Sequence, residues 1–444
     1  MSGFRAVIMA GGKGTRLSSV TGGEIPKPMV PVLGKPILEH QLEALRAGGV
    51  EDFTFVVGHL HEKIEEYFGD GSRFGVTVRY LVEREPLGSA GALFLLKESM
   101  KEDFFLVFGD TIFDIDLARM MEYHRAKGAG ITLLAHPNSH PYDSDLVLTG
   151  TDGRVTGILG KTAPRDFFYH NLVNAAFFVL SPRALAPLSA PEKLDMEKGL
   201  IAARIKEFGD VFAYETAEYI KDAGTVDRLD AVARDLASGA VAARNLRRKQ
   251  KCIFLDRDGT INEEVHYLYR PEDFKFLPGV PEALKMLTDS GYKLVVVTNQ
   301  AGVARGYYSE ADVVKLHGYV NQLLKPYGTG IHGFYYCPHH PEYGKGRYKM
   351  ACGCRKPGIG LFEQAEKDFA VDKSASYMIG DKLLDVEAGK RYGVTSILVG
   401  TGYGAGYRRQ AEETGTLPEY DYYAETLTEA ARWILQRDED IAKR

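Results

Sequence analysis

Two short segments of this 444-residue chain carry residue types suited to phosphate chemistry. The apolar run Phe4 to Met9 leads into a glycine-rich turn containing Gly11, Gly12, Lys13, Gly14, Thr15 and Arg16. Glycines after a strand let backbone N–H groups approach phosphate oxygens that side chains would block, and Lys13 and Arg16 add positive charge. Such a turn suits a nucleoside triphosphate. It is not a P-loop, because the Gly-Lys-Ser/Thr ending is absent. A second apolar run, Cys252 to Leu255, leads into Asp256 and Asp258. Two carboxylates two residues apart at a strand end can divide labour. One attacks phosphorus; the other protonates the leaving oxygen and later activates water.

The elements that must position these groups follow from pattern. Apolar, β-rich runs alternate with helical periodicity through most of the chain, which predicts α/β architecture with mainly parallel sheets. In the first half the strands fall at Arg5–Met9, Phe53–Val57, Val76–Leu81, Phe104–Phe108, Ile131–Ala135 and Ala175–Leu180. Helices fall at Ile37–Ala47, Leu117–Lys127 and Val226–Ser238. The polar, basic stretch Gly239–Lys251 marks a boundary, giving domains at 1–240 and 251–444. The second series runs through helix Val280–Ser290, strand Lys293–Thr298, helix Glu310–Leu324 and strand Gly333–Cys337. After a loop-rich insertion at Pro338–Arg355 it resumes with helix Ile359–Phe369, strand Ser376–Ile379, helix Asp385–Tyr392 and strand Ser396–Val399. The tail from Gly400 turns helical near Ala424.

Four more elements accompany the first turn. Lys27 supplies another cation, and Leu87–Ala92, with Gly88 and Ser89, is a second small-residue loop. Asp110 ends a strong apolar strand, and Asp222 precedes a Gly-Thr turn and helix. This ordered set resembles the sugar-1-phosphate nucleotidyltransferases, nearest to the mannose- and heptose-1-phosphate guanylyltransferases. The resemblance implies a GT-A-like, Rossmann-like α/β domain over most of residues 1–240. It also implies GTP on Gly11, Gly12, Lys13, Gly14, Thr15, Arg16, Gly88 and Ser89, with charge stabilised by Arg16 and Lys27. Mg²⁺ would sit on Asp110 and Asp222, and a sugar phosphate on Lys161 and Asn174. The chemistry would be in-line attack on the α-phosphorus, with pyrophosphate leaving. One departure is Gly160, which stands where the family has an acid before Lys161.

Asp256 and Asp258 are likewise followed by ordered partners. Thr298 and Asn299 end the next strand, Arg355 and Lys356 open a helix, and Asp381 ends a further strand. This order resembles the haloacid dehalogenase superfamily of phosphatases. Within it, the segments Asn299–Gly306, Cys337–Pro341 and Cys352–Pro357 resemble D-glycero-D-manno-heptose 1,7-bisphosphate phosphatase; histidinol-phosphate phosphatase shares the paired aspartates and the insertion. The resemblance implies Asp256 as nucleophile, Asp258 as acid and base, and Thr298 and Lys356 as phosphoryl binders. Asn299, Arg305 and Arg355 would contact substrate. Mg²⁺ would be held by Asp256, Asp381 and the Asp258 carbonyl, and structural Zn²⁺ by Cys337, His339, Cys352 and Cys354, with His340 competing for the fourth place.

Each half then explains the other. Removal of the 7-phosphate from heptose 1,7-bisphosphate gives a 1-phosphate that a guanylyltransferase can consume, forming GDP-heptose. A nucleotide-sugar-sensing role for the N-terminal domain is the reading from another class. The formal net charge of -5 excludes a general nucleic-acid binder, and no apolar stretch approaches the ~20 residues that span a bilayer. A strand pattern starting near the first residues and a reducing-type cysteine cluster lead us to expect a cytoplasmic protein.

Overall fold

The computed structural model describes residues 3–12, 17, 21–137, 145–150, 152–160, 162–163, 172–415 and 420–442. The backbone divides into two compact units, 1–247 and 248–444.

The first unit is built on a seven-stranded sheet. Its strands are β1 (Phe4–Met9), β2 (Val50–Val57), β3 (Thr77–Val82), β4 (Phe104–Phe108), β5 (Ile131–Pro137), β6 (Leu172–Leu180) and β7 (Val211–Glu215), in the order β7-β5-β6-β4-β1-β2-β3. All pairings are parallel except those of β6, which runs antiparallel to both β4 and β5. Apolar sequence in Ala6–Met9 of β1, in Phe53 and Phe55–Val57 of β2 and throughout β4 reflects burial on both faces, as central strands of a covered sheet require. One face packs Phe53, Phe55, Phe105 and Phe177, the other Leu93, Leu106, Phe178 and Leu200. The chain leaves β1 in one direction to β2 and β3, and returns on the other side at β4. The crevice between the ends of β1 and β4 is therefore a topological switch point.

The second unit has a six-stranded, all-parallel sheet. Its strands are β8 (Cys252–Leu255), β9 (Lys293–Asn299), β10 (Gly333–Cys337), β11 (Tyr377–Gly380), β12 (Thr395–Val399) and β13 (Tyr422–Ala424), ordered β10-β9-β8-β11-β12-β13. Here the switch lies at β8, flanked by β9 and β11. Helix Val280–Asp289 buries Val280, Ala283, Leu284 and Leu287, the spacing of one helical face. Helix Glu310–Leu324 starts at a reciprocal capping box between Ser309 and Asp312.

Most sequence-derived elements recur with ends shifted by one to three residues. The tail differs more. Helix Gly404–Thr414 and edge strand β13 precede the last helix, Leu427–Ala442, because Tyr422 and Tyr423 pair with Ile397 and Leu398. Among the described residues no helix is long and apolar enough to cross a membrane.

At the centre of the second sheet Phe254 is fully buried, with Phe362 and Tyr392 ring centroids at 4.8 Å and 5.6 Å. Truncation leaves a cavity between strand and helices that rigid neighbours cannot close. We expect Phe254→Ala to cost about 3–5 kcal/mol, read as a lowered urea midpoint at constant slope.

Candidate active sites

At the first switch point a cavity of about 380 Å³ is lined by Gly11, Lys27, Glu83, Gly88, Ser89 and Asp110, among others. Gly11 follows β1 directly, and a Cβ there would lie 2.8 Å from Glu83 Oε2. Gly88 has φ +79, and a Cβ on it would meet the Leu194 carbonyl at 2.6 Å, so only glycine fits. Ser89 Oγ accepts from Met196 N at 2.7 Å, tying this loop to the segment that carries Glu197.

Asp110 ends β4, and Lys27 donates to its Oδ2 at 2.5 Å from a nearly buried position. Asp222 reaches the same place from a short strand, Tyr219–Asp222, paired with Thr111–Asp114. Ala223 N donates to the Asp110 carbonyl at 2.8 Å. A Cβ on Gly224 would lie 2.9 Å from Asp222 Oδ1 and 3.1 Å from Lys27 Nζ, so two carboxylates and one lysine converge. Asp222 also pairs with Arg228 at 3.1 Å.

Asn174 lies on a bulged part of β6, where Ala176 has φ 57, and its Nδ2 donates to Glu197 Oε1 at 2.6 Å. Neither Glu83 nor Glu197 belongs to a motif that the sequence singled out. Long-range contacts alone bring them in. Lys13, Gly14, Thr15, Arg16 and Lys161 lie outside the described residues.

At the second switch point Asp256, Thr298 and Asp381 occupy the ends of β8, β9 and β11. Lys356 is buried and places Nζ 2.9 Å from Asp256 Oδ1 and 2.6 Å from Asp385 Oδ1. Thr298 Oγ1 accepts from Gln300 Nε2 at 3.1 Å. Asp258 turns away from this group. Its carboxylate receives Arg257 (2.9 and 3.1 Å), Asn262 (3.0 Å) and Gln300 (3.1 Å). Burial disfavours the Asp258 anion, but Arg257 and these hydrogen bonds outweigh it and hold the carboxyl below its ordinary value.

Asn299 is tied to the neighbouring lysine. Its amide oxygen accepts from Lys356 N at 3.0 Å and its Nδ2 donates to Lys356 O at 3.1 Å. Both polar ends thus grip the Lys356 main chain, and in this structure Asn299 positions Lys356. Arg355 donates to the His339 carbonyl at 3.3 Å, and Arg305 lies over the Tyr343 ring at 4.2 Å.

Two ligand clusters stand out. Carboxylate oxygens of Asp256, Asp381 and Asp385 come within 4.8 Å of one another, and Asp381 Oδ1 is buried without a hydrogen-bond partner. Three buried acids with an unfilled acceptor fit a hard divalent cation. In the insertion, Cys337, Cys352 and Cys354 have sulfur separations of 3.1–3.5 Å. His339 Nδ1 lies 3.5 Å from Cys354 Sγ and 3.8 Å from Cys337 Sγ. Tetrahedral thiolate coordination with bonds near ~2.3 Å gives edges of about 3.7 Å, so this set fits Zn²⁺. His340 Nδ1 instead accepts from Glu342 N and Tyr343 N, both at 3.1 Å.

Comparison with known proteins agrees with this division. Residues 5–239 match the nucleotidyl transferase family model, and 353–430 match the HAD-hydrolase-like model. D-glycero-beta-D-manno-heptose-1,7-bisphosphate 7-phosphatase of Haemophilus ducreyi is 50% identical over 155 residues, which is 34% of this chain and 85% of that protein. The chain belongs to the nucleotidyl transferase family and, through its C-terminal unit, to the heptose-bisphosphate 7-phosphatases. The D-glycero-alpha-D-manno-heptose-1,7-bisphosphate 7-phosphatase of Photorhabdus laumondii is 43% identical over 156 residues, covering 35% of this chain and 85% of that one. Among solved structures, HddC from Yersinia pseudotuberculosis aligns with 52% of this chain and 99% of its own, at 24% identity and TM-score 0.46.

In the phosphatase unit charge crowding is severe. Burial and the neighbouring Asp256 push Asp381 up to about 8. Burial also pushes Asp385 to about 6, although Lys356 eases it. Both lie above a free aspartate near ~3.9, so the metal-free fold favours their protonated forms. The contribution of these two groups to stability is therefore fully present below about 3.9 and is lost as pH rises through about 6 to about 8. A cation reverses that penalty. We expect the thermal shift produced by Mg²⁺ to grow steadily from pH 6 to pH 8.5 in scanning fluorimetry. A shift that is flat or shrinking would contradict the carboxylate cluster as the metal site.

Proposed function

We propose that the two units catalyse consecutive steps. The phosphatase unit removes the 7-phosphate of D-glycero-D-manno-heptose 1,7-bisphosphate, and the nucleotidyl transferase unit joins the resulting 1-phosphate to GMP from GTP, releasing pyrophosphate. The observation that carries this reading is the pairing of Asp256 with buried Lys356 at the β8 switch point, within a unit 50% identical over 155 residues to a heptose-bisphosphate phosphatase.

In the first reaction an Asp256 carboxylate oxygen attacks phosphorus while Lys356 and Thr298 bind the phosphoryl oxygens. Asp258, once protonated, gives its proton to the departing sugar oxygen; as a carboxylate it then takes one from the water that cleaves the aspartyl phosphate. Arg257 keeps it in that second form at rest. Mg²⁺ on Asp256, Asp381 and the Asp258 carbonyl, with Asp385 alongside, would supply further charge neutralisation at the phosphoryl group. Zn²⁺ on Cys337, His339, Cys352 and Cys354 would pin the insertion that brings Arg355 and Lys356 into place.

In the second reaction the glycine-rich turn and Arg16 hold the triphosphate, and Gly88 and Ser89 lie against the nucleoside. Lys27 neutralises charge developing at the α-phosphorus, and Asp110 with Asp222 fits a second Mg²⁺. Lys161 and Asn174 hold the sugar phosphate for in-line attack.

The two activities separate by mutation. Asp256→Asn should lower phosphate release from heptose 1,7-bisphosphate by more than about 10³-fold while sparing pyrophosphate release from heptose 1-phosphate and GTP. Asp222→Asn should do the reverse, costing about 10²-fold or more in pyrophosphate release. Loss of both activities in either variant would refute the assignment.

A further inference from the structure

The two acids of the transferase cleft are delivered by a ribbon that stands apart from the seven-stranded sheet. Strand Tyr219–Asp222 pairs antiparallel with Thr111–Asp114, so Asp222 lies opposite Thr111 and Tyr219 opposite Asp114. Asp110 and Asp222 therefore share one end of the ribbon. Glu218 and Asp114 share the other, about 10 Å away. A two-stranded ribbon is marginal by itself and keeps its place only if something holds it.

The end with the acids is held by a helix. Gln41, buried on Ile37–Ala47, donates through Nε2 to the carbonyls of Phe108 and Thr111, both at 2.8 Å. These two carbonyls bracket Asp110.

The far end is held by chain that the sequence assigns to the boundary between domains. Asn245 Nδ2 donates to Asp114 Oδ1 at 2.6 Å, and Leu246 N donates to Glu218 Oε1 at 2.8 Å. That same oxygen accepts from Asp116 N at 2.8 Å, while Glu218 Oε2 accepts from Thr216 Oγ1 at 3.0 Å. One carboxylate thus joins three stretches of chain. Asn245 Oδ1 accepts from Arg247 N at 2.8 Å, and Arg247 Nη1 donates to the carbonyl of Ala47 at 2.6 Å. Ala47 ends the helix that carries Gln41. Val241 packs in one apolar cluster with Ile112 and Tyr219 of the ribbon.

Burial separates this stretch from a solvated linker. Glu218, Asn245 and Leu246 are only 4%, 5% and 7% exposed. Polar groups so deeply buried persist where they are paired, and here their partners lie on the ribbon. The match to the nucleotidyl transferase family model ends at residue 239, before any of the clamping residues from Val241 onward.

We propose that the stretch from Val241 to Arg247 is a working part of the transferase, in which Asn245 and the Leu246 main chain clamp the far end of the ribbon and so position Asp110 and Asp222. The proposal rests on the transferase reading above. Asn245 and Glu218 are positioning residues that act through the ribbon.

Asn245→Ala in the full chain removes the donor to Asp114. Hydrogen exchange followed by mass spectrometry, without metal, should show amides of 111–116 and 219–223 exchanging about tenfold faster, with β1, β2 and β4 unchanged. The Mg²⁺ concentration giving half-maximal pyrophosphate release from heptose 1-phosphate and GTP should rise about tenfold, with kcat at saturating Mg²⁺ within about twofold of wild type. Phosphate release from heptose 1,7-bisphosphate by the same sample should not change, which separates the effect from unfolding. Asn245→Asp combined with Asp114→Asn exchanges donor and acceptor across the same pair, and should restore both the slow exchange and the wild-type Mg²⁺ requirement. Faster exchange with an unaltered Mg²⁺ requirement, or no change in either, would overturn the positioning role and leave the transferase reading intact. A wild-type chain that releases no pyrophosphate from heptose 1-phosphate and GTP would overturn the transferase reading and the positioning role together.

Discussion

A buried lysine held against an aspartate at the carboxyl end of a parallel strand is the constraint both units are built around. Lys27 meets Asp110 at 2.5 Å in one, and Lys356 meets Asp256 at 2.9 Å in the other. Neither charge could be taken out of water alone, since an unpaired buried ion is far too costly. The pairing allows strand ends to present carboxylates inside a cleft, where phosphate chemistry needs positive charge and a metal needs negative charge. It also explains the second aspartate in each place. Asp222 beside Lys27, and Asp385 on the far side of Lys356, leave more negative charge than one lysine offsets. Around Lys356 that surplus is the charge a divalent cation would offset, while Asp222 is also paired with Arg228.

Positioning of these lysines accounts for features far from the chemistry. Lys356 is aimed by Asn299 gripping its main chain, and Asn299 is the last residue of β9. The residue before Lys356, Arg355, donates to the carbonyl of His339, whose ring faces the cysteine sulfurs. A metal in the insertion would therefore stiffen the segment that delivers Lys356. In the first unit the paired short strands Thr111–Asp114 and Tyr219–Asp222 bring two acids, separated by more than a hundred residues, to one lysine.

Much of this was legible in the sequence because it is local. Apolar runs ending in Asp256, Thr298 or Asp381 state both a buried parallel strand and what emerges from its end. The three cysteines near His339 suggested metal-ligand chemistry from their clustering, and the structure brings the four side chains together. What stayed hidden was set by contacts distant in sequence or by backbone angles. Nothing near Glu83 or Glu197 marks them as site residues; the folding of two loops onto each other does. Asn299 was expected at the substrate from its type and place, and its hold on the main chain of Lys356 has no mark in the sequence. The reversed direction of β6 and the left-handed backbone at His266 and Tyr267 leave no trace in hydrophobic pattern. Both are decided by how neighbouring elements close around them.

On this reading one chain performs two phosphate reactions in sequence. The most direct measurement is mass spectrometry after incubating the purified protein with Mg²⁺, heptose 1,7-bisphosphate and each nucleoside triphosphate in turn. GDP-heptose is expected with GTP, and heptose 1-phosphate accumulating with the others. Heptose 1-phosphate in every tube and a nucleotide sugar in none would contradict it.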